Sequence, residues 1–282
     1  MTHDEDFASR MNTTTVLFTG STDGIGRQCA LELAKSGATV LLHGRDGSRG
    51  KSVLEDIRKV SGNANVDLVI ADFRSLAHVR RMAAEILDKY SRLDVLVNNA
   101  GTYLRKHEMT EDSFESTFAV NHLAPFLLTN LLLDLLKKCA PAKIINVSSM
   151  AHQQGRFDVT NLQAEKHFDA YGAYALSKLA NLMFTYELAR RLEGSGVTVN
   201  ALHPGVISTK LLRAGFGSFG GRPVKDGADR IMHLIRMPHD ANVTGRYFVD
   251  DKEAVSSTQA CDPRLQKELW LLSEKLTGDV SA

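Results

Sequence analysis

Thr15-Val16-Leu17-Phe18-Thr19-Gly20-Ser21-Thr22-Asp23-Gly24-Ile25-Gly26 is a short apolar run that breaks into a glycine-punctuated turn. The run reads as a buried strand, and Gly24 to Ser36 continues as a helix. Gly20 permits the tight turn, Gly24 lets the backbone approach a pyrophosphate, and Gly26 lets helix and strand pack closely. The helix start then offers unpaired N–H groups and a positive dipole end to phosphates. A glycine cluster alone is as readily a plain turn. Placed between a strand and a helix, it points to a dinucleotide site in which Ser21, Thr22, Asp23 and Ile25 line the cofactor beside the glycines.

Outward from this stretch, apolar runs alternate with helical stretches. Strands are expected at 15–19, 38–43, 66–71, 93–97, 143–147, 197–202 and 246–249, with helices at 24–36, 48–60 and 75–90 among the connections. The strands are near-continuous Val, Ile and Leu, as when both faces are covered. Strand–helix alternation implies right-handed crossovers. The expected fold is α/β: one Rossmann domain over 13–282 with a doubly wound, mostly parallel seven-stranded sheet, behind a flexible tail at 1–12. The stretch 213–227, with five glycines and with Phe216 and Phe219, reads as a mobile loop closing over substrate.

Composition narrows the classes. Of the 282 residues 43% are hydrophobic, too many for a disordered chain. A net charge of +1 gives no general pull toward nucleic acid or anionic lipid. Cys29, Cys139 and Cys261 are scattered and odd in number, which suggests free thiols in a reducing compartment. The longest apolar run, Leu123 to Leu136, carries Pro125, Thr129, Asn130 and Asp134 and reads as a buried helix. No membrane association and a cytoplasmic location are expected. The ten histidines show no metal-ligand spacing, and Ser149 lacks a Gly-x-Ser-x-Gly elbow. His152 is read as a loop histidine and His203 as structural.

The choice of cofactor turns on His43-Gly44-Arg45-Asp46 at the end of the second strand. NAD-binding folds usually place an acid there for the ribose 2′-OH. With Gly44 at that position, nothing repels a 2′-phosphate and Arg45 is poised to pair with it. Arg49 and Lys51 add positive potential. NADP is therefore expected. The competing reading has Asp46 bind a ribose of NAD.

Tyr174-Ala-Leu-Ser-Lys178 sets a phenol and an ammonium on one helix face. A nearby cation favours the phenolate and lowers its pKa, which suits proton exchange with a substrate oxygen. With this pair the chain resembles the short-chain dehydrogenase/reductase family over nearly all of 15–278. The motifs are Thr19-Gly-x-x-x-Gly-x-Gly26, Asn98-Asn-Ala-Gly101, Asn121, Lys143-Ile-Ile-Asn-Val-Ser-Ser149, Tyr174-x-x-x-Lys178 and Pro204-Gly-Val-Ile-Ser-Thr209.

The resemblance implies a catalytic set of Asn121, Ser149, Tyr174 and Lys178. Tyr174 would be the acid/base, and Lys178 would lower its pKa and hold the nicotinamide ribose. Ser149 would bind the substrate oxygen, with Ser148 the alternative. Asn121 would sit in a helix distortion and hold a water. It also implies cofactor contacts from Asp72, Phe73, Asn99, Ala100, Gly101, Pro204, Gly205, Val206 and Thr209. For Asp72 a helix cap is the equal alternative, and for Asn98 a structural turn. The closest likeness is to the retinol-dehydrogenase-like branch, carried by Val147 to His152, Phe157 to Phe168, Tyr174 to Asn181 and Leu269 to Gly278. That branch often acts on apolar alcohols and aldehydes. Two departures stand out. Its N-terminal membrane-anchoring helix has no counterpart here, and the segment between Ser149 and Tyr174 is long.

The expectation is an NADP-dependent oxidoreductase interconverting a carbonyl and an alcohol on a small apolar substrate. The rival is a non-catalytic NADP-binding regulator. The family also implies a dimer or tetramer built on helices at 116–138 and 173–192.

Overall fold

The computed structural model describes residues 7, 9–217, 220–239 and 243–278. The apolar runs become β1 (Thr15–Phe18), β2 (Thr39–Gly44), β3 (Val66–Ile70), β4 (Val95–Asn98), β5 (Ala142–Val147), β6 (Val197–His203) and β7 (Arg246–Val249). These seven are parallel, and β8 (Lys252–Glu253) adds an antiparallel edge. The sheet order is β3-β2-β1-β4-β5-β6-β7-β8, so the sheet has eight strands rather than the expected seven. The eighth escapes periodicity because it is two charged residues long. Asp250 and Asp251, both at positive φ, turn the chain back on β7, the geometry of a two-residue hairpin turn that Asp tolerates.

The main helices are α1 (Gly24–Lys35), α2 (Gly47–Ser61), α3 (Leu76–Lys89), α4 (Ala124–Lys138), α5 (Ala170–Arg191), α6 (Lys210–Phe216), α7 (Val224–Arg236) and α8 (Pro263–Thr277). Strand residues alternate between two cores. Leu33 of α1, Ile57 of α2 and Ile231 of α7 pack with Phe18 and Leu42 on one face. Met82 of α3, Phe126 of α4, Met183 of α5 and Trp270 of α8 pack with Leu17, Leu41 and Ile144 on the other. Strand order reverses between β1 and β4, which opens a crevice beyond their carboxyl ends.

Several expectations change. Phe7 and Met11 are buried in the first of these cores, so this part of the expected tail is docked; residues 1–6 and 8 lie outside the described residues. The apolar run Leu123–Leu136 lies inside a helix that spans 116–138, as expected. A turn at Ser116–Phe118 leads through a π-helical turn at Ala119–Leu123 into α4. Glu115, itself buried, caps that first turn through the N–H groups of Thr117 and Phe118. The run 116–138 is long and apolar enough to cross a membrane, and 72% of its apolar window is buried inside the molecule. The stretch 213–227 is not one loop. It ends α6 and begins α7, with Thr209 capping α6 through Leu212 N; Phe219 lies outside the described residues.

Lys143 is a strand residue with an unforeseen job. Its buried Nζ donates to the carbonyl oxygens of Leu234 (3.2 Å), Ile235 (2.8 Å) and Met237. These are the last carbonyls of α7 and the residue after it, which no intrahelical donor reaches.

Phe126 is fully buried among Phe184, Trp270 and His122. Truncation there leaves a cavity where α4, α5 and α8 meet. Phe126→Ala is expected to cost about 3–5 kcal/mol, read as a lower midpoint in urea unfolding with an unchanged slope.

Candidate active site

The glycine loop is fixed from several sides. Thr19 Oγ1 accepts the N–H groups of Asn99 (2.9 Å) and Ala100 (3.0 Å). Asn99 Nδ2 donates to the Thr19 carbonyl at 2.8 Å. His43 Nδ1 accepts from Gly20 N at 3.1 Å while its Nε2 lies 3.0 Å from the Ala71 carbonyl. A Cβ on Gly26 would lie 2.3 Å from the Gly20 carbonyl oxygen, so no other residue fits beneath this turn. The result is a cradle of backbone N–H groups at the start of α1, of the kind a pyrophosphate fills.

The cradle opens into a cavity of about 760 Å³ that runs from β2 to α6. Gly20, Thr22, Asp23, Gly24, Ile25 and Gly26 line it. Ser21 does not. It is fully buried and holds the β2 backbone, accepting from His43 N at 2.8 Å. Arg45, Asp72, Phe73, Ala100 and Gly101 line the cavity, as do Pro204, Gly205, Val206 and Thr209. Asn99 lines it too, but its amide nitrogen serves the loop. Gly44 has no room for a side chain, since a Cβ would meet Thr22 Cγ2 at 2.6 Å. Asp46 instead caps α2, accepting from Arg49 N at 3.1 Å. The cap of α3 is Ser75 rather than Asp72. Asn98 is structural, its buried amide joining Thr129 and Asn146 across the sheet.

At the far end stand Ser149, Tyr174 and Lys178. Ser149 lines the cavity with Tyr174 and begins a short turn through Ala151 N. Ser148 also lines the cavity, but its hydroxyl is engaged, donating to the Lys178 carbonyl at 2.8 Å. His152 is no loose loop residue. It is buried between Ser149 O and Ser257 N and holds the Ser149 backbone in place. Lys178 Nζ donates to the Val147 carbonyl at 3.0 Å and lies 5.6 Å from the centre of the Tyr174 ring. Asn121 sits in the π-helical turn, next to Gly101. Its side chain pairs with both backbone groups of Thr102 and with Ser177.

One electrostatic expectation fails. Burial pushes the Tyr174 phenol up to about 12, opposed by its hydrogen bond from Ser149. Burial also pulls Lys178 down to about 8. Both groups are desolvated together, so the ammonium that was to lower the phenol is itself destabilised.

A family model described as short chain dehydrogenase matches residues 14–216. The chain belongs to the short-chain dehydrogenase family. Human retinol dehydrogenase 13 is 43% identical over 280 residues, covering 94% of this chain and 84% of that protein. Among solved structures, an uncharacterised protein of Mycobacterium paratuberculosis is similar with TM-score 0.79 and 33% identity, covering 94% of each chain. A short-chain dehydrogenase of Shigella flexneri, solved with NADP, is similar with TM-score 0.69 and 27% identity, covering 84% of this chain and 97% of that one. These likenesses place the chain in the retinol-dehydrogenase-like branch, and make it an oxidoreductase acting on CH–OH or C=O groups.

Sequence motifs did not mark an aromatic wall in this short-chain dehydrogenase. Tyr103 stands 5.5 Å from the Tyr174 ring and 5.7 Å from Phe216, whose other neighbour is Tyr171 at 6.0 Å. Only Gly101, two residues upstream, hinted at this position. His43 was also missed, because it reads as one more residue of a strand.

His43 is fully desolvated, which pulls its pKa down to about 4 and keeps it neutral as the acceptor for Gly20 N. Its folded value lies below the ordinary one near 6.5, so its stabilising effect is complete above pH 6.5 and is lost as pH falls through 4. His203, also pulled to about 4, and His122, to about 3, act in the same direction. Unfolding free energy from urea titrations is expected to fall steadily from pH 6.5 to 4. For His43→Gln, whose side chain does not titrate, the slope is expected to be shallower.

Proposed function

We propose that the chain is an NADP-dependent oxidoreductase that interconverts a carbonyl and an alcohol on a small apolar substrate, using Ser149, Tyr174, Lys178 and Asn121. The observation that carries this reading is the single cavity joining the glycine cradle to Ser149, Tyr174 and Lys178. The residues fit a dinucleotide. The Gly26 position admits no Cβ, and Gly44 presents no carboxylate beside Arg45. Leu104, Met150, Leu211 and Phe216 give the substrate end its apolar character.

Bound NADPH supplies the hydride. The chain handles the proton. Ser149 and Tyr174 converge on one oxygen, where negative charge develops during reduction. Tyr174, protonated at neutral pH, gives that oxygen its proton. Lys178 stands where it can restore the proton and carry positive charge beside the ribose. Asn121, hydrogen-bonded to Thr102 and Ser177, fixes the chain around Gly101 that faces this lysine. In oxidation the same groups act in reverse.

NADP over NAD is supported by Arg45, by the cap role of Asp46 and by NADP in the related structure. A non-catalytic regulator is disfavoured because nothing in its role requires a serine, a buried tyrosine and a buried lysine at the end of that cavity. Self-association as a dimer or tetramer and a cytoplasmic location belong to the proposal on family and compositional grounds. Many apolar residues of α4 and α5 already serve the chain's own core.

Tyr174→Phe is expected to lower turnover of NADPH with a panel of aldehydes, ketones and quinones at least about a hundredfold. Ser149→Ala is expected to do nearly the same, while Ser148→Ala keeps most activity. Full activity in Tyr174→Phe would overturn the mechanism. Equal affinity for NADH and NADPH by fluorescence titration would overturn the cofactor assignment.

A further inference from the structure

Asp23 is an acid placed where an anion is to bind. It belongs to the loop that forms the pyrophosphate cradle, and it lines the cavity with Arg45 and Arg49. One of its oxygens, Oδ1, accepts from Gly24 N at 2.9 Å and caps α1. The other, Oδ2, takes two cations from two different elements. Arg49 Nη2, from the first turn of α2, lies at 2.7 Å. Lys210 Nζ, the first residue of α6, lies at 3.1 Å. Burial works against the charge on Asp23, yet the bonds from Lys210 and Arg49 hold its carboxyl below the usual range.

The geometry points to Asp23 as a positioning residue for both ends of the dinucleotide site: it sets Arg49 to select a 2′-phosphate and Lys210 to fasten α6 over the substrate. The inference rests on the NADP reading given above. Arg49 is held by two of its five N–H donors, Nη2 on Asp23 and Nε on the Thr22 carbonyl at 3.2 Å. A guanidinium fixed along one edge still presents the opposite edge, which suits paired contact with phosphate oxygens. It does so beside Gly44 and Arg45, where a 2′-phosphate is expected.

The second arm concerns α6. Its far end is gripped by Arg105 Nε on the Ala214 carbonyl at 2.7 Å and by Tyr103 against Gly215 and Phe216. Its near end is tied to the glycine loop through Lys210, and Gly24 faces Thr209 just before it. The helix therefore bridges the aromatic wall and the phosphate cradle. A 2′-phosphate that draws on Arg49 leaves more of Oδ2 to Lys210 and tightens this near end. Both ion pairs are exposed, so their role is orientation rather than stability.

Asp23→Asn separates charge from capping, since Asn caps a helix as well as Asp. The full chain is titrated with NADPH and with NADH by nucleotide fluorescence, and α6 amides are followed by hydrogen exchange with and without NADPH. In Asp23→Asn the ratio of NADH to NADPH dissociation constants is expected to fall about tenfold, the size of one charge-assisted contact. NADPH-dependent protection of 210–216 is expected to vanish. Arg49→Met should reproduce the first effect, and Lys210→Met should remove the protection while sparing the ratio. If Asp23 were merely an anion beside a phosphate, its neutralisation would raise the ratio, and that result overturns the inference. Unchanged ratio and unchanged protection overturn it equally. A wild-type chain with no preference for NADPH refutes the cofactor reading instead, and overturns with it the tightening of α6 that depends on the 2′-phosphate.

Discussion

Gly26 Cα packs against the Gly20 carbonyl so closely that a methyl group would overlap it. That contact sets the angle at which α1 leaves β1, and the angle aims the first N–H groups of α1 into the crevice between β1 and β4. The loop cannot relax away, because its Thr19 Oγ1 accepts the Asn99 N–H, while the Asn99 side chain and His43 bind its backbone from the neighbouring strand ends. Two of these three contacts reach across from β4 and β2. The cradle is thus a product of the whole sheet and not of the glycine motif alone. A plain glycine turn with the same sequence would lack the desolvated histidine that keeps Gly20 N pointed inward.

The layout of the fold was legible where the physics is local. Seven strands were readable because a strand packed on both faces must be apolar throughout. The glycine turn was readable because positive φ at Gly20 and Gly24 and the close approach at Gly26 each demand glycine. What escaped was set by tertiary partners. β8 is two charged residues that pair only because Asp250 and Asp251 reverse the chain. Phe7 and Met11 were assigned to a tail because no periodicity precedes Thr15, yet a hydrophobic face waiting beside α1 and α7 captures them. Within 213–227 the glycines masked a helix whose cap, Thr209, is visible only once α6 is known to start there.

The candidate site divides in the same way. Ser149 and Tyr174 were named from a motif, and the structure brings them into the same cavity. Ser21 was named from the same kind of pattern and is turned inward, because alternate residues of a tight loop face opposite sides and its hydroxyl is needed by β2. Asn99 lines the cavity while its amide works for the loop. His43, His152 and Lys143 were passed over because each reads as an ordinary member of its element. All three are buried and hold backbone groups that no secondary structure satisfies. Such residues carry no spacing signal, since each has a partner tens of residues away: Ala71 for His43, Ser257 for His152 and Ile235 for Lys143.

The raised Tyr174 and lowered Lys178 show how burial governs the chemistry available to the proposed pair. Burial disfavours the charged form of each group in a site this dry, and the Lys178 ammonium donates to the Val147 carbonyl. A phenol near 12 holds its proton at neutral pH, so the proton is in place for a carbonyl oxygen, whereas action as a base needs the scarce phenolate. Free of dinucleotide, the arrangement therefore favours giving a proton to a carbonyl oxygen over taking one from an alcohol. Oxidation demands a further positive charge beside Tyr174 to bring the phenolate within reach. An oxidised nicotinamide carries a positive charge, whereas the reduced form is neutral in its ring. By this argument the redox state of the dinucleotide adjusts the acidity of the tyrosine between the two directions.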